Sequence, residues 1–171
     1  MKPIFYLILI GVCQSQLVEQ SIRWFPIQVT IQSDDLLLLA TANEAIEYWN
    51  SVSHRQLFQT INKNTIPNGT STCKIFFKFG NTNSGSTSIQ YITNDLVLTQ
   101  TYARVTVTMA RNVLVQTVHN LLLHELGHVL NLDHDEDESS IMYWNLKDGV
   151  QYELNSPIKS KLLKSNKNLY C

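Results

Sequence analysis

The sequence predicts a single α+β domain, and three observations carry that prediction. Ile27 to Ile31 alternates apolar and polar positions with β-branched residues, as a half-buried strand does. Arg104-Val105-Thr106-Val107-Thr108 repeats the same period of two. Helical spacing governs Leu38, Ala42, Ala45, Ile46 and Trp49, and a second apolar stretch runs from Leu121 to Leu130. With 171 residues, 44% hydrophobic and 16% charged, the chain is one domain large enough to bury a core unaided. The formal net charge of −1 gives no electrostatic case for nucleic acid or an anionic membrane as partner. Lys147, Lys159, Lys161, Lys164 and Lys167 gather late but read as a solvated face.

Taken in order, Met1-Lys2-Pro3 and the apolar run Ile4 to Val12 read as a secretory signal peptide, too short to span a bilayer. Residues 1–15 are assigned to it, with cleavage between Cys13 and Gln16, and residues 16–171 to the domain. A lipid-anchored Cys13 is the alternative, disfavoured by the bulk of Val12. The expectation is a secreted, extracellular monomer without membrane contact after signal removal. That leaves Cys73 and Cys171, an even pair in an oxidising compartment and an expected disulfide. On the chain-entropy argument such a bond is worth up to about 4 to 5 kcal/mol. A free Cys73 in a strand with a reactive terminal thiol is the alternative.

Trp24 to Ile31 is the first strand, with Pro26 at its start. Ser33 and Asp34 offer caps for the helix that follows, and Trp49 and Phe58 are read as core. Asn62 to Thr72 is a polar loop holding Asn68-Gly69-Thr70, so Asn68 is the expected glycosylation site. Cys73 to Phe79 is a second strand, and Gly80 to Ser88 a loop free of His and acid. Ile89 to Ile92 and Val97 to Thr108 supply further strands, and Asn112 is a candidate cap for a central helix running to about Asn131.

The chemistry lies on that helix, in His124-Glu125-Leu126-Gly127-His128-Val129-Leu130-Asn131-Leu132-Asp133-His134. If it is helical as far as Leu130, His124 and His128 stand one turn apart on one face and both reach a single ion. Asn131 tolerates the left-handed conformation that ends a helix, which lets His134 return as the third ligand. Three imidazoles with an open fourth position make a catalytic zinc site, since a structural site would fill all four positions. Water would take the fourth position, its pKa lowered to about 7, and Glu125 projects from the same turn to take its proton. A shuffled chain shows the three-histidine pattern in about two cases per ten thousand, so chance is a weak rival. His119 lies well round the helix and His54 in a polar turn, so neither is an expected ligand. Asp133, Asp135, Glu136, Asp137 and Glu138 read as an exposed turn, with a weak calcium site as the alternative.

Followed by Ser140-Ile141-Met142-Tyr143, this motif resembles the metzincin metalloproteases, whose zinc helix is followed by a Met-turn, and within them the matrixins. Trp144 favours that branch, because others place a zinc-binding Tyr two positions after the Met. Asn131 departs from the pattern, standing where the family has Gly. The resemblance implies a metzincin (zincin) fold: a twisted, mostly parallel five-stranded sheet, an active-site helix and a C-terminal helix starting at Asn155-Ser156-Pro157. It puts Met142 under the zinc, a sheet edge beside the cleft for an extended peptide, and the substrate pocket wall in Tyr143 to Leu154. Matrixins carry a structural zinc and calcium in the region of Gly80 to Ser88. The residues that would bind them are missing here, so one zinc is expected. The implied activity is that of a secreted zinc-dependent endopeptidase acting on extended peptide in a protein substrate, with Glu125 as general base. A zinc-binding interaction module that does not cleave is the alternative, and the intact Glu125 argues against it. With few residues between signal and first strand, no propeptide cysteine is expected to restrain the enzyme.

Overall fold

The structure, a computed structural model, describes residues 26–65, 71–94 and 97–168. The expected signal (1–15), glycosylation site (Asn68) and terminal cysteine (Cys171) lie outside the described residues. Strand β1 (Ile27–Gln32) leads into helix α1 (Leu36–Ser53), followed by β2 (Phe58–Thr60), β3 (Thr72–Phe79), β4 (Ser84–Asn94) and β5 (Val97–Met109). Helices α2 (Val115–Val129) and α3 (Ser156–Asn168) complete the chain. The strands form one sheet in the order β2-β1-β3-β5-β4. All pairs are parallel except β4 with β5, so the mostly parallel five-stranded sheet is as expected. Among the described residues no helix is long and apolar enough to cross a membrane.

Register decides what each face carries. Val29, Cys73, Ala103 and Ile89 lie opposite one another across four strands, and so do Ile31, Ile75, Val105 and Thr87. Residues two apart share a face, so these rows and the Phe77–Val107–Gly85 row all point to the same side. That side is the core: Val29, Cys73, Ile75, Val105 and Val107 are fully enclosed. Helix α2 packs on β4, β5 and α1, and α3 closes against α1. Trp49 and Phe58 are buried as expected, and the Trp49 indole N–H donates to the Leu123 carbonyl at 3.0 Å, tying α1 to α2. The opposite row, Thr30–Lys74–Arg104–Ser88, belongs to the other face.

Several boundaries differ from the sequence reading. Asp35 caps α1, its carboxylate accepting from the N–H groups of Leu37 and Leu38, while Ser33 accepts from Asp35 one step earlier. Asn112 does not cap α2, which starts at Val115 after Leu114 without any side-chain cap. Gly80 to Ser88 is not all loop: β4 begins at Ser84, because β5 is long enough to pair with it as far as Thr108. Ladder pairing there overrides the weak strand preference of Ser and Gly. Cys73, expected to be bridged to Cys171, is a free thiol between Val29 and Ala103, and burial pushes its pKa up to about 12.

Candidate metal centre and cleft

Helix α2 ends as its ligands require. Asn131 adopts φ 61°, and the N–H groups of Leu132 and Asn131 donate to the carbonyls of Gly127 and His128 at 3.0 and 2.9 Å. This pair of bonds around one left-handed residue is a Schellman stop, a position usually taken by Gly and, at a small cost in stability, by Asn. The chain reverses there and returns His134 to the helix face. The histidines at 124, 128 and 134 bring one ring nitrogen each within 4.8 Å of one another, the one such group of metal-ligating side chains among the described residues. His128 Nε2 lies 3.1 Å from His124 Nε2 and 3.2 Å from His134 Nε2.

Two of the rings are oriented from behind by main-chain oxygens. His124 Nδ1 is 2.9 Å from the Ile141 carbonyl and His128 Nδ1 is 2.8 Å from that of Leu132. A carbonyl accepts only from an N–H, so both neutral rings carry their proton on Nδ1 and present a bare Nε2 lone pair. Lone pairs this close repel one another unless a cation lies between them. A proton is disfavoured in that role, since burial lowers the His124 pKa to about 4 against the Ile141 contact, with His128 and His134 lowering it further. Burial also lowers His134. Zinc–nitrogen bonds of about 2.0 to 2.1 Å in a tetrahedron separate ligand nitrogens by roughly 3.3 Å, so the three imidazoles fit a zinc ion.

Beneath them lies Met142, fully buried. Gly127 makes its position possible: a Cβ at 127 would stand 2.4 Å from Met142 Sδ and 3.2 Å from the Trp49 ring. Above them is a cleft of about 480 Å³, bounded by Ser84 to Thr87 of β4, by His124, Glu125 and His128, and by Trp144 to Leu146. Both Trp144 and Leu146 come from the segment expected to form the pocket wall. Glu125 is only 5% exposed, and burial raises its carboxyl pKa while Thr87 and His128 oppose the rise. The Thr87 hydroxyl lies 2.5 Å from Glu125 Oε2 and 3.1 Å from the Glu125 main-chain oxygen. His119 and His54 stand apart from the group, as expected.

Three contributors to the cleft escaped the sequence reading: Asn83, Gly85 and Thr87. Thr87 and Gly85 sit in the stretch read as loop; the period of two that continues upstream from Ile89 is the one signal for them. Asn83 donates to both carboxylate oxygens of Asp148 at 3.1 and 3.2 Å and accepts from the Ala110 N–H at 2.8 Å, joining two rims of the cleft. Beside the centre, Asn155 donates to Asp135 and Asp137 and accepts from the Ile158 N–H, so one side chain holds the acidic turn and starts α3.

The chain resembles a solved archaemetzincin from Methanopyrus kandleri with a TM-score of 0.52 at 11% identity, over 83% of this chain and 96% of that one. At that identity the likeness speaks for the fold alone. No curated protein sequence matches significantly. The matrixin family profile matches residues 27–161, which takes in every strand, the three histidines, the Met-turn and the start of α3. The family profile and the three-histidine group agree: this chain belongs to the matrixins, a family of zinc metallopeptidases.

Proposed function

We propose that the chain is a secreted zinc endopeptidase that hydrolyses internal peptide bonds of proteins. The observation that carries this reading is a buried carboxylate, Glu125, on the same helical turn as the convergent imidazoles and facing the same open cleft. His124, His128 and His134 would hold zinc, which would supply Lewis acidity toward a scissile carbonyl and lower the pKa of a water molecule to about 7. Everything else falls to the chain's own residues. The edge strand β4 has a partner on one side only, so an extended substrate can add to it by main-chain hydrogen bonds across the cleft. Trp144 and Leu146 line the place where a substrate side chain would sit. Glu125, its proton affinity raised by burial, takes the proton from the attacking water as the new C–O bond forms. It then delivers that proton to the departing nitrogen as the C–N bond breaks, leaving an amine and a carboxylic acid that ionises by losing the remaining water proton.

Glycosylation at Asn68 belongs to the same proposal of a secreted enzyme. The test is digestion of a denatured protein by the purified chain with stoichiometric zinc, beside a chelated sample and a Glu125→Gln variant. Cleavage abolished by chelation and reduced at least about 100-fold by the substitution, with zinc retained, is the expected result. A folded, zinc-loaded chain that cleaves nothing would point instead to a binding module.

A further inference from the structure

We infer that Thr87, on the edge strand, is a positioning residue for Glu125, and that Gly85 is the vacancy that lets it act. The inference rests on Glu125 being the base. The Thr87 hydroxyl stands between two oxygens of the same residue, the carboxylate Oε2 at 2.5 Å and the main-chain oxygen at 3.1 Å. A hydroxyl in that position clamps the glutamate side chain back against its own helix. The other carboxylate oxygen, Oε1, lies over Gly85: a Cβ there would come within 2.2 Å of it, and within 2.7 Å of Cδ. Gly85 and Thr87 are two residues apart and therefore on one face of β4, the face turned to α2. The carboxylate is thus laid flat on the edge strand, one oxygen bonded and the other fitted into the space of a missing side chain.

This has a consequence for catalysis. A glutamate has three rotatable bonds, and a general base must meet its proton at hydrogen-bond distance. The strand proposed to take the substrate backbone along its open edge is the strand that fixes the base from its inner face. Base and scissile bond are then referred to one rigid element, and an error in their separation is limited to the pleat of a single strand. Neither neighbouring contact can replace Thr87: Ser86 and Ser88 point to the other face of the sheet.

The experiment compares Thr87→Val, which keeps the shape and removes the hydroxyl, with Thr87→Ser, which restores it, in the zinc-loaded full chain on a quenched peptide substrate. Expected is a loss of about 10- to 100-fold in kcat for Thr87→Val, with KM changed less than about threefold, and recovery in Thr87→Ser. Zinc affinity by chelator competition should be unchanged. A second readout does not use activity: the Cδ resonance of Glu125 in 13C-glutamate-labelled protein, identified by Glu125→Gln, should move in Thr87→Val and return in Thr87→Ser. Wild-type kcat in Thr87→Val would overturn the inference, as would a loss traced to weakened zinc binding or unfolding. If the wild-type chain cleaves no peptide, the proposed activity fails, and the resonance alone then decides whether Thr87 holds Glu125.

Discussion

At the scale of single residues, His124 links the metal centre to pH. Its pKa is lowered to about 4, first by burial, against an ordinary 6.5 in the unfolded chain. The unfolded state therefore binds more protons between these values, so stability from this group is fully present above pH 6.5 and lost as pH falls toward 4. The span corresponds to roughly 3 kcal/mol. Chelated protein should show this loss in urea midpoints measured from pH 7.5 to 4, and His124→Gln should flatten the slope; an equal slope in the variant would rule His124 out as its source. Cys73 offers a second test. With its thiol pushed up to about 12 and no exposure, it should resist a thiol reagent in the folded protein and react on unfolding, in a chain whose other cysteines are serine. Cys73→Ser should cost about 1 to 3 kcal/mol, because the hydroxyl would enter an apolar row without a partner.

Helix α2 shows how an element serves the site and what its sequence conceals. Gly127 is buried in the helix interior, where Ala would ordinarily gain about 1 kcal/mol. Here the added methyl would meet Met142 Sδ at 2.4 Å and the Trp49 ring at 3.2 Å, so overpacking by about 1 to 3 kcal/mol should win. Gly127→Ala is expected to lower stability, and Gly127→Ala with Met142→Ala should cost less than the sum of the two single changes. Strict additivity in that cycle would dissolve the link between helix and Met-turn. The helix was legible because its ligands follow the 3.6-residue period, and its stop because Asn131 accepts the left-handed backbone. Of edge strand β4, Ile89 to Ile92 was legible but Ser84 to Ser88 was hidden, since the signal there is tertiary: Ser and Gly carry little strand preference, and the reach of β5 defines the pairing. Thr87 and Gly85 were hidden for the same reason, as their value depends on Glu125, which lies 38 residues beyond Thr87. The start of α3 was legible, because Asn155 before Ser156-Pro157 is a cap and does accept the Ile158 N–H.

Across the whole molecule, the sheet and the metal centre are held by different means. The sheet is held by the enclosed rows of β1, β3 and β5, which need no ion. In the segment from Asn131 to Tyr143, Leu132, Ile141 and Met142 are buried in the core, whereas Asn131, Asp133, His134 and the stretch from Glu136 to Ser139 are exposed. The segment's ties include the Asp135 N–H to the Met142 carbonyl at 2.8 Å, the Ile141 N–H to the Glu153 carbonyl at 2.9 Å, the Asn155 amide to Asp135 and Asp137, and the contacts of His124 with Ile141 and of His128 with Leu132. Zinc held by His134 as well as by the two helix residues would pin this segment to α2. Free zinc at a thousand times its Kd stabilises a protein by about 4 kcal/mol, and each kcal/mol raises Tm by about 2 to 4 °C at this size. Chelation should therefore lower Tm by roughly 10 °C. Hydrogen exchange should show where: protection lost first in residues 130–143, with β1, β3 and β5 retaining theirs. Uniform loss across the sheet would mean that the ion holds the fold as a whole, and unchanged protection in 130–143 would mean that the segment is ordered without His134 holding metal.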